Sequence, residues 1–177
     1  MSFFKETKTA IIVMLAVILG SSTISAVGSI NKAVSKLNDQ FYKGQGDNFC
    51  IYEDIIDKTE YAFDIYQTAV KNNYSDTEVE KISSLINDIK SEKSIKKLYS
   101  LVQKLDSAVD YTVKLLNGKL DKKWADILEG ARRNYNSESS TIDSDPYNSM
   151  VKEFHDEYDG FPGSLFQLFA SKAEYFK

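Results

Sequence analysis

Two side chains in the sequence have the types that most often catalyse reactions or bind transition metals, and each type occurs once, as Cys50 and His155. His155 lies in the stretch Glu153–Asp159, which also carries four carboxylates. A zinc-binding helix of the H-E-x-x-H kind needs a second histidine, and the sequence has none. We therefore predict that His155 is neither a metal ligand nor a catalytic base.

Cys50 has no second cysteine with which to form a disulfide in the chain, so we expect a small buried side chain. A Cys50–His155 dyad formed in space is the one route by which these residue types could support an enzyme. The glycine pair Gly44–Gly46 lacks the Lys-Ser/Thr that follows a phosphate-binding loop. We assign no catalytic residue, no cofactor site and no metal site, and we do not expect an enzyme.

Charged residues form two stripes with helical spacing. The acidic stripe comprises Glu53, Asp57, Glu60 and Asp64, and the basic group comprises Lys90, Lys93, Lys96, Lys97 and Lys104. Cation ligands must converge rather than line up, so we interpret the acidic stripe as a solvated face. The basic group could bind anionic lipid, although a solvated surface is the simpler interpretation. A net charge of −4 argues against a nucleic-acid partner.

Apolar residues recur at intervals of three and four in several segments, and the sequence holds only two prolines and eight glycines. This pattern predicts an all-α fold with an antiparallel bundle of about four long helices. The most regular stripe is Ile95, Leu98, Val102, Leu105, Val109, Thr112 and Leu116, which Gly118 ends. A separate helix over Ile51–Val70 is predicted to bury Ile51, Ile55, Thr59, Ala62, Phe63, Tyr66, Ala69 and Val70.

Local signals predict where other helices begin and end. Ser75–Glu78 has the S-x-x-E form of a capping box, and Asp145-Pro146 has the form of a helix start. Ser164–Phe176 is short and rich in aromatic residues. We expect this tail to fold back over the end of the core; an exposed tail would instead be a patch for a partner.

Thr9–Asn31 contains 23 residues without a charge, bounded by lysines on both sides. About 20 apolar residues cross the hydrocarbon core of a bilayer as a helix, so this run predicts an N-terminal transmembrane helix. A cleaved signal peptide is the alternative, but a cut after Ala26 would place Ile24 where a small residue is needed. No helix breaker separates the run from residues 32–43, so both are expected to form one rod.

Ser21, Ser25 and Ser29 recur every four residues in the second half of this run and share one helix face. Small residues on one face allow helices to approach closely in lipid, so this face could mediate self-association. The alternative is a weakly apolar end of the helix near the lipid headgroups.

The C-terminal part of the chain resembles the LemA family. The similarity lies in Tyr147–His155 (YNSMVKEFH), in Phe161-Pro162, and in Lys172–Phe176 (KAEYF). His155 stands where that family usually has asparagine, and the basic, proline-interrupted stretch common in its second helix is missing here. The resemblance implies a bacterial, membrane-anchored antiparallel helical bundle with no established catalytic activity. We interpret Tyr147, Asn148 and Pro162 as structural residues.

The sequence thus predicts an anchor over residues 1–31 and a LemA-like bundle over residues 32–177. The expected function is a non-catalytic protein-binding or scaffold module in the bacterial cell membrane, with membrane or envelope proteins as partners. A sensor of envelope stress or anionic lipid is the second hypothesis, and an enzyme using Cys50 and His155 is the third.

Overall fold

The computed structural model describes residues 2–44 and 50–177. For residues 2–9, 11 and 15–19 it describes the backbone only. Over these residues the protein is all α-helical, which confirms the predicted fold class. The elements are α1 (Ser2–Lys43), α2 (Ile51–Lys71), α3 (Thr77–Ser91), α4 (Ile95–Leu116), α5 (Lys122–Ser144), α6 (Tyr147–Tyr158) and α7 (Gly163–Phe166), followed by a 3-10 turn (Gln167–Phe169).

Helix α1 is continuous from Ser2 to Lys43, as the lack of a helix breaker predicted. Among the residues that the structure describes, no helix combines the length and apolarity needed to cross a bilayer. The structure therefore gives no support to the transmembrane part of the prediction. Much of the most apolar stretch, at residues 11 and 15–19, lies outside the described side chains.

The chain forms two compact units. The first comprises residues 1–38 and 150–173, and the second comprises residues 39–149 and 174–177. The predicted division into residues 1–31 and 32–177 separates the chain differently and stays a prediction.

The second unit contains the predicted bundle of four long helices. α2 packs on α3, α4 and α5, and α3 packs on α4. Short connections between consecutive helices are those of antiparallel neighbours. Every member of the predicted α4 stripe is buried, and Leu105 at its centre is 0% exposed. All residues of this stripe are uncharged, so the apolar spacing alone identifies the buried face of α4.

Helix α2 buries five of the eight residues predicted for its inner face, which are Ile51, Ile55, Thr59, Ala62 and Ala69. Phe63 is 45% exposed and Val70 is 36% exposed, whereas Ile65 is fully buried. Asp54 and Lys58, which were not predicted to be buried, are only 5% and 3% exposed. The prediction was wrong for Phe63 and Val70, and it missed Asp54 and Lys58 because only uncharged residues were assigned to the buried face.

Hydrogen bonds at the helix starts correct one cap and confirm another. α3 is capped by Asp76, whose Oδ1 accepts from the backbone N–H groups of Glu78 and Val79 at 2.9 and 3.0 Å. The predicted cap, Ser75, instead donates to the Glu80 carboxylate. Asp145 acts as expected, because its Oδ1 accepts from Tyr147 N at 2.8 Å.

The aromatic tail divides into two parts with opposite environments. Ala173 and Phe176 are buried, as predicted. Leu165, Leu168 and Phe169 are 51%, 76% and 73% exposed, so the expectation that the whole tail covers the core was wrong. The boundary between the two units falls within this tail, since residues up to 173 belong to the first and residues 174–177 to the second.

Candidate functional site

His155 lies in the first unit, on the half-buried side of α6. Its Nδ1 is 3.1 Å from Asp159 Oδ1, one helical turn further on, and Gln167 Nε2 donates to the same oxygen at 2.9 Å. These hydrogen bonds, led by that from Gln167, lower the pKa of the Asp159 carboxyl. A shallow hollow of about 410 Å³ adjoins the pair. Within the described residues, no group of three His, Cys, Asp or Glu side chains converges as a metal site would require.

Cys50 lies in the second unit, immediately before α2, and is 4% exposed. Its carbonyl oxygen accepts from Asp54 N at 3.1 Å, so its backbone closes the first turn of α2. Since Cys50 and His155 belong to different units, the enzyme hypothesis that pairs them stays a hypothesis.

Most of the surface residues singled out from the sequence lie on exposed helix faces. All five lysines of the basic group are exposed, and so are Glu53, Glu60 and Asp64 of the acidic stripe, with Asp57 half-buried. Ser21, Ser25 and Ser29 are exposed on α1, which leaves the proposed self-association face accessible.

A buried ionic cluster joins three helices of the second unit. Lys58 of α2 lies with its Nζ 2.7 Å from Asp106 Oδ1 of α4, and the Tyr135 hydroxyl of α5 donates to the same oxygen at 2.7 Å. The Lys58 ammonium also lies 4.7 Å from the centre of the Tyr135 ring. Burial, reinforced by Asp106, raises the pKa of Tyr135, so its hydroxyl keeps its proton and remains a donor. A charge this deeply buried needs such partners.

The sequence analysis missed this cluster. The signal that could have found it is the spacing of Ile51, Ile55, Lys58, Ala62 and Ile65, which follows the helical repeat more regularly than the predicted face. Lys58 and Asp106 carry opposite charges on separate helices, and only the packing of α2 on α4 brings them together.

Asp54, one helical turn before Lys58, lies among other carboxylates. Burial, together with repulsion from Glu138, Asp145, Asp57 and Glu53, raises the pKa of Asp54 from 3.8 to about 6. Burial also raises the pKa of Glu138, and Asp57 raises it further. Acidic groups from α2 and α5 therefore lie close enough to repel one another, and this repulsion disfavours the charged form of each.

We expect Asp54→Asn to stabilise the protein above pH 6. Because the folded-state pKa of Asp54 is raised, its favourable contribution is present below about pH 3.8 and is lost as the pH rises through about 6. The variant should gain on the order of 2–3 kcal/mol over the wild type between pH 4 and pH 8. Urea unfolding at both pH values measures the difference. Asp64→Asn, an exposed site on the same helix, is the matched control; equal pH profiles for both variants would refute the assignment.

The motif residues at the start of α6 hold residues 174–176 in place. The Asn148 side chain donates from Nδ2 to the Phe176 carbonyl at 2.8 Å and accepts from Phe176 N at 2.9 Å. The Tyr147 hydroxyl donates to the Glu174 carbonyl at 2.8 Å. We call this arrangement the C-terminal clasp (Tyr147 and Asn148 with Glu174–Phe176). It confirms the structural interpretation of Tyr147 and Asn148.

Aromatic rings fill the space behind the clasp. The Phe176 ring centre lies 5.6 Å from that of Phe41 and 5.2 Å from that of Tyr99. Tyr147 is 1% exposed and packs on Phe41 with the ring centres 5.1 Å apart. Phe176 thereby completes an aromatic cluster with Phe41 of α1 and Tyr99 of α4.

Glu174 extends the clasp to the start of α4. Its Oε2 accepts from Ser94 Oγ at 2.9 Å and from Lys96 N at 3.1 Å. The first N–H groups of a helix lack partners within the helix, and the helix dipole favours negative charge there. The chain thus satisfies the α4 N-terminus with a carboxylate from its own last residues.

We expect Asn148→Leu to destabilise the second unit by about 1–3 kcal/mol, because the backbone N–H and C=O of Phe176 lose their partners. Asn136→Leu on the exposed side of α5 is the control and should have little effect on the unfolding midpoint. Hydrogen exchange at Phe176 N–H should accelerate in Asn148→Leu alone. Unchanged exchange would show that the clasp does not order the tail.

A larger hollow of about 600 Å³ opens at the α4–α5 turn. Its floor includes Val113, Leu116 and Leu128, and charges of both signs line its rim. The mixed rim gives no preference for an anion or a cation, so this hollow has no evident ligand class.

Comparisons with known proteins give no family assignment. No family model matches the chain, and neither a curated protein nor a solved structure is significantly similar to it.

Proposed function

We propose that the protein is a membrane-anchored scaffold of the LemA type that binds other proteins through exposed helix faces and catalyses no reaction. The observation that carries the proposal is the use of the motif side chains in the C-terminal clasp. The polar side-chain groups of Tyr147 and Asn148 form hydrogen bonds with the backbone of residues 174–176. Because these motif residues stabilise the fold, we expect the function to depend on binding of other proteins at the surface of the helices.

The anchor rests on the uncharged run Thr9–Asn31 inside the continuous helix α1. At 1.5 Å per residue this run is about 35 Å long, against about 30 Å for a hydrocarbon core. We place it in the bacterial cell membrane, where its lysine borders would lie in the headgroup regions.

Gly20→Arg tests the anchor because Gly20 lies near the centre of the run, and a Cβ there would meet no atom within 4 Å. An arginine at that depth costs roughly 2.5–3.5 kcal/mol of insertion. We expect wild type to resist alkaline extraction from membranes and the variant to be released. Gly130→Arg on α5 is the matched control, since its Cβ also meets nothing within 4 Å. Release of the wild type, or equal retention of all three proteins, would contradict the anchor.

The groove between α2 and α3 is the partner surface that we favour. It has a volume of about 490 Å³ and is lined by Phe63, Ile86, Glu60, Asp64 and Lys90, among others. Phe63 is 45% exposed at its edge, with Glu60 and Asp64 of the acidic stripe beside it. An exposed aromatic ring next to carboxylates suits a partner helix with an apolar stripe and basic flanks.

A photo-crosslinking residue placed at position 63 in the full-length protein tests this surface in native membranes. We expect a discrete crosslinked partner that disappears when Glu60 and Asp64 are changed to lysine. The same crosslinker at Ile127, which is 40% exposed on α5, is the matched control. Cys50→Ser and His155→Asn should leave the crosslink intact. Absence of a crosslink at position 63, or an identical product at position 127, would overturn the scaffold proposal for this face.

Sensing of anionic lipid is a second candidate, because all five lysines of the basic group are exposed. Reversal of Lys97 and Lys104 to glutamate would then abolish a salt-sensitive association with anionic vesicles that neutral vesicles do not show. The scaffold proposal expects the reversal to leave the crosslink at position 63 unchanged.

A further inference from the structure

A short segment of the first unit exposes four large apolar side chains to solvent. Phe161, Leu165, Leu168 and Phe169 are 84%, 51%, 76% and 73% exposed. They occupy the turn before α7, α7 itself and the 3-10 turn after it, which we call the apolar segment (Phe161–Phe169). Such a concentration of exposed apolar groups marks an interaction surface.

The backbone of the apolar segment is ordered by contacts at both ends. A Cβ at Gly163 would collide with the Tyr158 carbonyl oxygen, so glycine allows α7 to begin directly against the end of α6. At the other end, Ser171 N donates to Asn31 Oδ1 at 2.8 Å. The exposed side chains therefore project from a defined structure and not from a loose tail.

The hydrogen bond from Ser171 fixes the segment to one point on α1. Asn31 is the last residue of the uncharged run, and Lys32 follows it. Phe169 is two residues from Ser171, and two residues span at most about 7 Å. Each headgroup region of a bilayer is about 5–8 Å thick. If the hydrocarbon core ends near Asn31, Phe169 is within reach of the boundary between headgroups and acyl chains.

We propose that the apolar segment inserts into the membrane surface at the end of the anchor, with Phe161, Leu165, Leu168 and Phe169 among the lipid headgroups and upper acyl chains. The inference rests on the proposed anchor, because continuity with the uncharged run is what selects lipid over a protein partner. Lys32 follows Asn31 and Lys172 follows Ser171 in the sequence, and both lysines are exposed. Their ammonium groups could pair with lipid phosphates in the headgroup region.

The depth of insertion is limited by polar groups within the same segment. Gln167 lies between Leu165 and Leu168 in the sequence, and its side chain donates to the Asp159 carboxylate. This polar pair favours water or lipid headgroups over acyl chains. The segment therefore lies in the interface, at the depth of about 5–10 Å that amphipathic elements reach. It would fix the orientation of the first unit at the membrane.

Fluorescence quenching by brominated lipids tests the proposal with the full-length protein in phosphatidylcholine–phosphatidylglycerol vesicles. The chain has one tryptophan, so Trp124→Phe supplies a dark background. Into it we would place Phe169→Trp for the apolar segment, Ile24→Trp for the anchor and Phe63→Trp for a control. Ile24 is 75% exposed on α1, and Phe63 is 45% exposed on α2. Circular dichroism verifies that each variant keeps its helices.

We expect Phe169→Trp to lose fluorescence most with bromines near the headgroups, Ile24→Trp to lose it with deeper bromines, and Phe63→Trp to be unaffected. Quenching at position 24 without quenching at 169 would overturn this inference and leave the anchor standing. Absence of quenching at both positions would overturn the anchor and this inference together. A blue-shifted, unquenched Phe169→Trp would show that a second protein copy covers the segment, and equal quenching at 63 would show non-specific adsorption; either result refutes the proposal.

Discussion

Replacing Asp106 with leucine is expected to lower the free energy of unfolding by about 3–5 kcal/mol, because it leaves a buried ammonium without its counter-ion. The Lys58 side chain is 4% exposed, and its Nζ lies 2.7 Å from Asp106 Oδ1. The same change removes the acceptor of the Tyr135 hydroxyl. Since domains are stable by only about 5–15 kcal/mol, the variant should unfold at a much lower urea concentration.

The reverse deletion should cost less, and this asymmetry makes the prediction specific. Lys58→Met leaves Asp106, whose side chain is 33% exposed and still accepts from Tyr135, so we expect a loss of about 1–2 kcal/mol. The double variant Lys58→Met, Asp106→Leu should recover much of the loss, because an apolar pair replaces the ion pair without an unpaired charge. Equal effects of both single changes, or strict additivity in the double variant, would contradict the buried-cluster assignment.

Leu105→Ala is expected to cost roughly 2–5 kcal/mol, since it removes a fully buried side chain from the centre of the α4 stripe and leaves a cavity. Leu168→Ala makes the same chemical change at a site that is 76% exposed, so it should alter stability by only about 0.5 kcal/mol or less. Urea unfolding followed by circular dichroism at helical wavelengths compares them. An unfolding midpoint unchanged in Leu105→Ala would show that this stripe is not core.

Most of the helices could be predicted from the sequence because their signals are local. Apolar spacing identified α4 completely, and hydrogen bonding at Asp145 matches the predicted helix start. Helix caps depend on which side chain reaches a free N–H, and neighbouring candidates compete. At α3 the carboxylate of Asp76 makes two such bonds, whereas Ser75 finds a different partner.

The face of α2 shows where local reasoning fails. The buried face predicted from the sequence contained only uncharged residues. The structure also buries Lys58 on this helix, because Asp106 and Tyr135, from α4 and α5, compensate its charge. Compensation of a buried charge is a property of three helices together, so no window on α2 could reveal it.

By itself, the sequence of this protein determined an all-α fold, a continuous first helix, the α4 core stripe and a structural role for Tyr147 and Asn148. Only the tertiary structure decided which part of the aromatic tail is buried. Phe176 lies in the core because Asn148 satisfies both of its backbone polar groups and Phe41 and Tyr99 cover its ring. Leu168 and Phe169 are equally apolar, yet they stay exposed because the described contacts of their segment, to Asp159 and Asn31, are made through Gln167 and Ser171. The hydrophobicity of a side chain determines how much free energy its burial would gain, but the fold determines whether another part of the protein is placed to cover it.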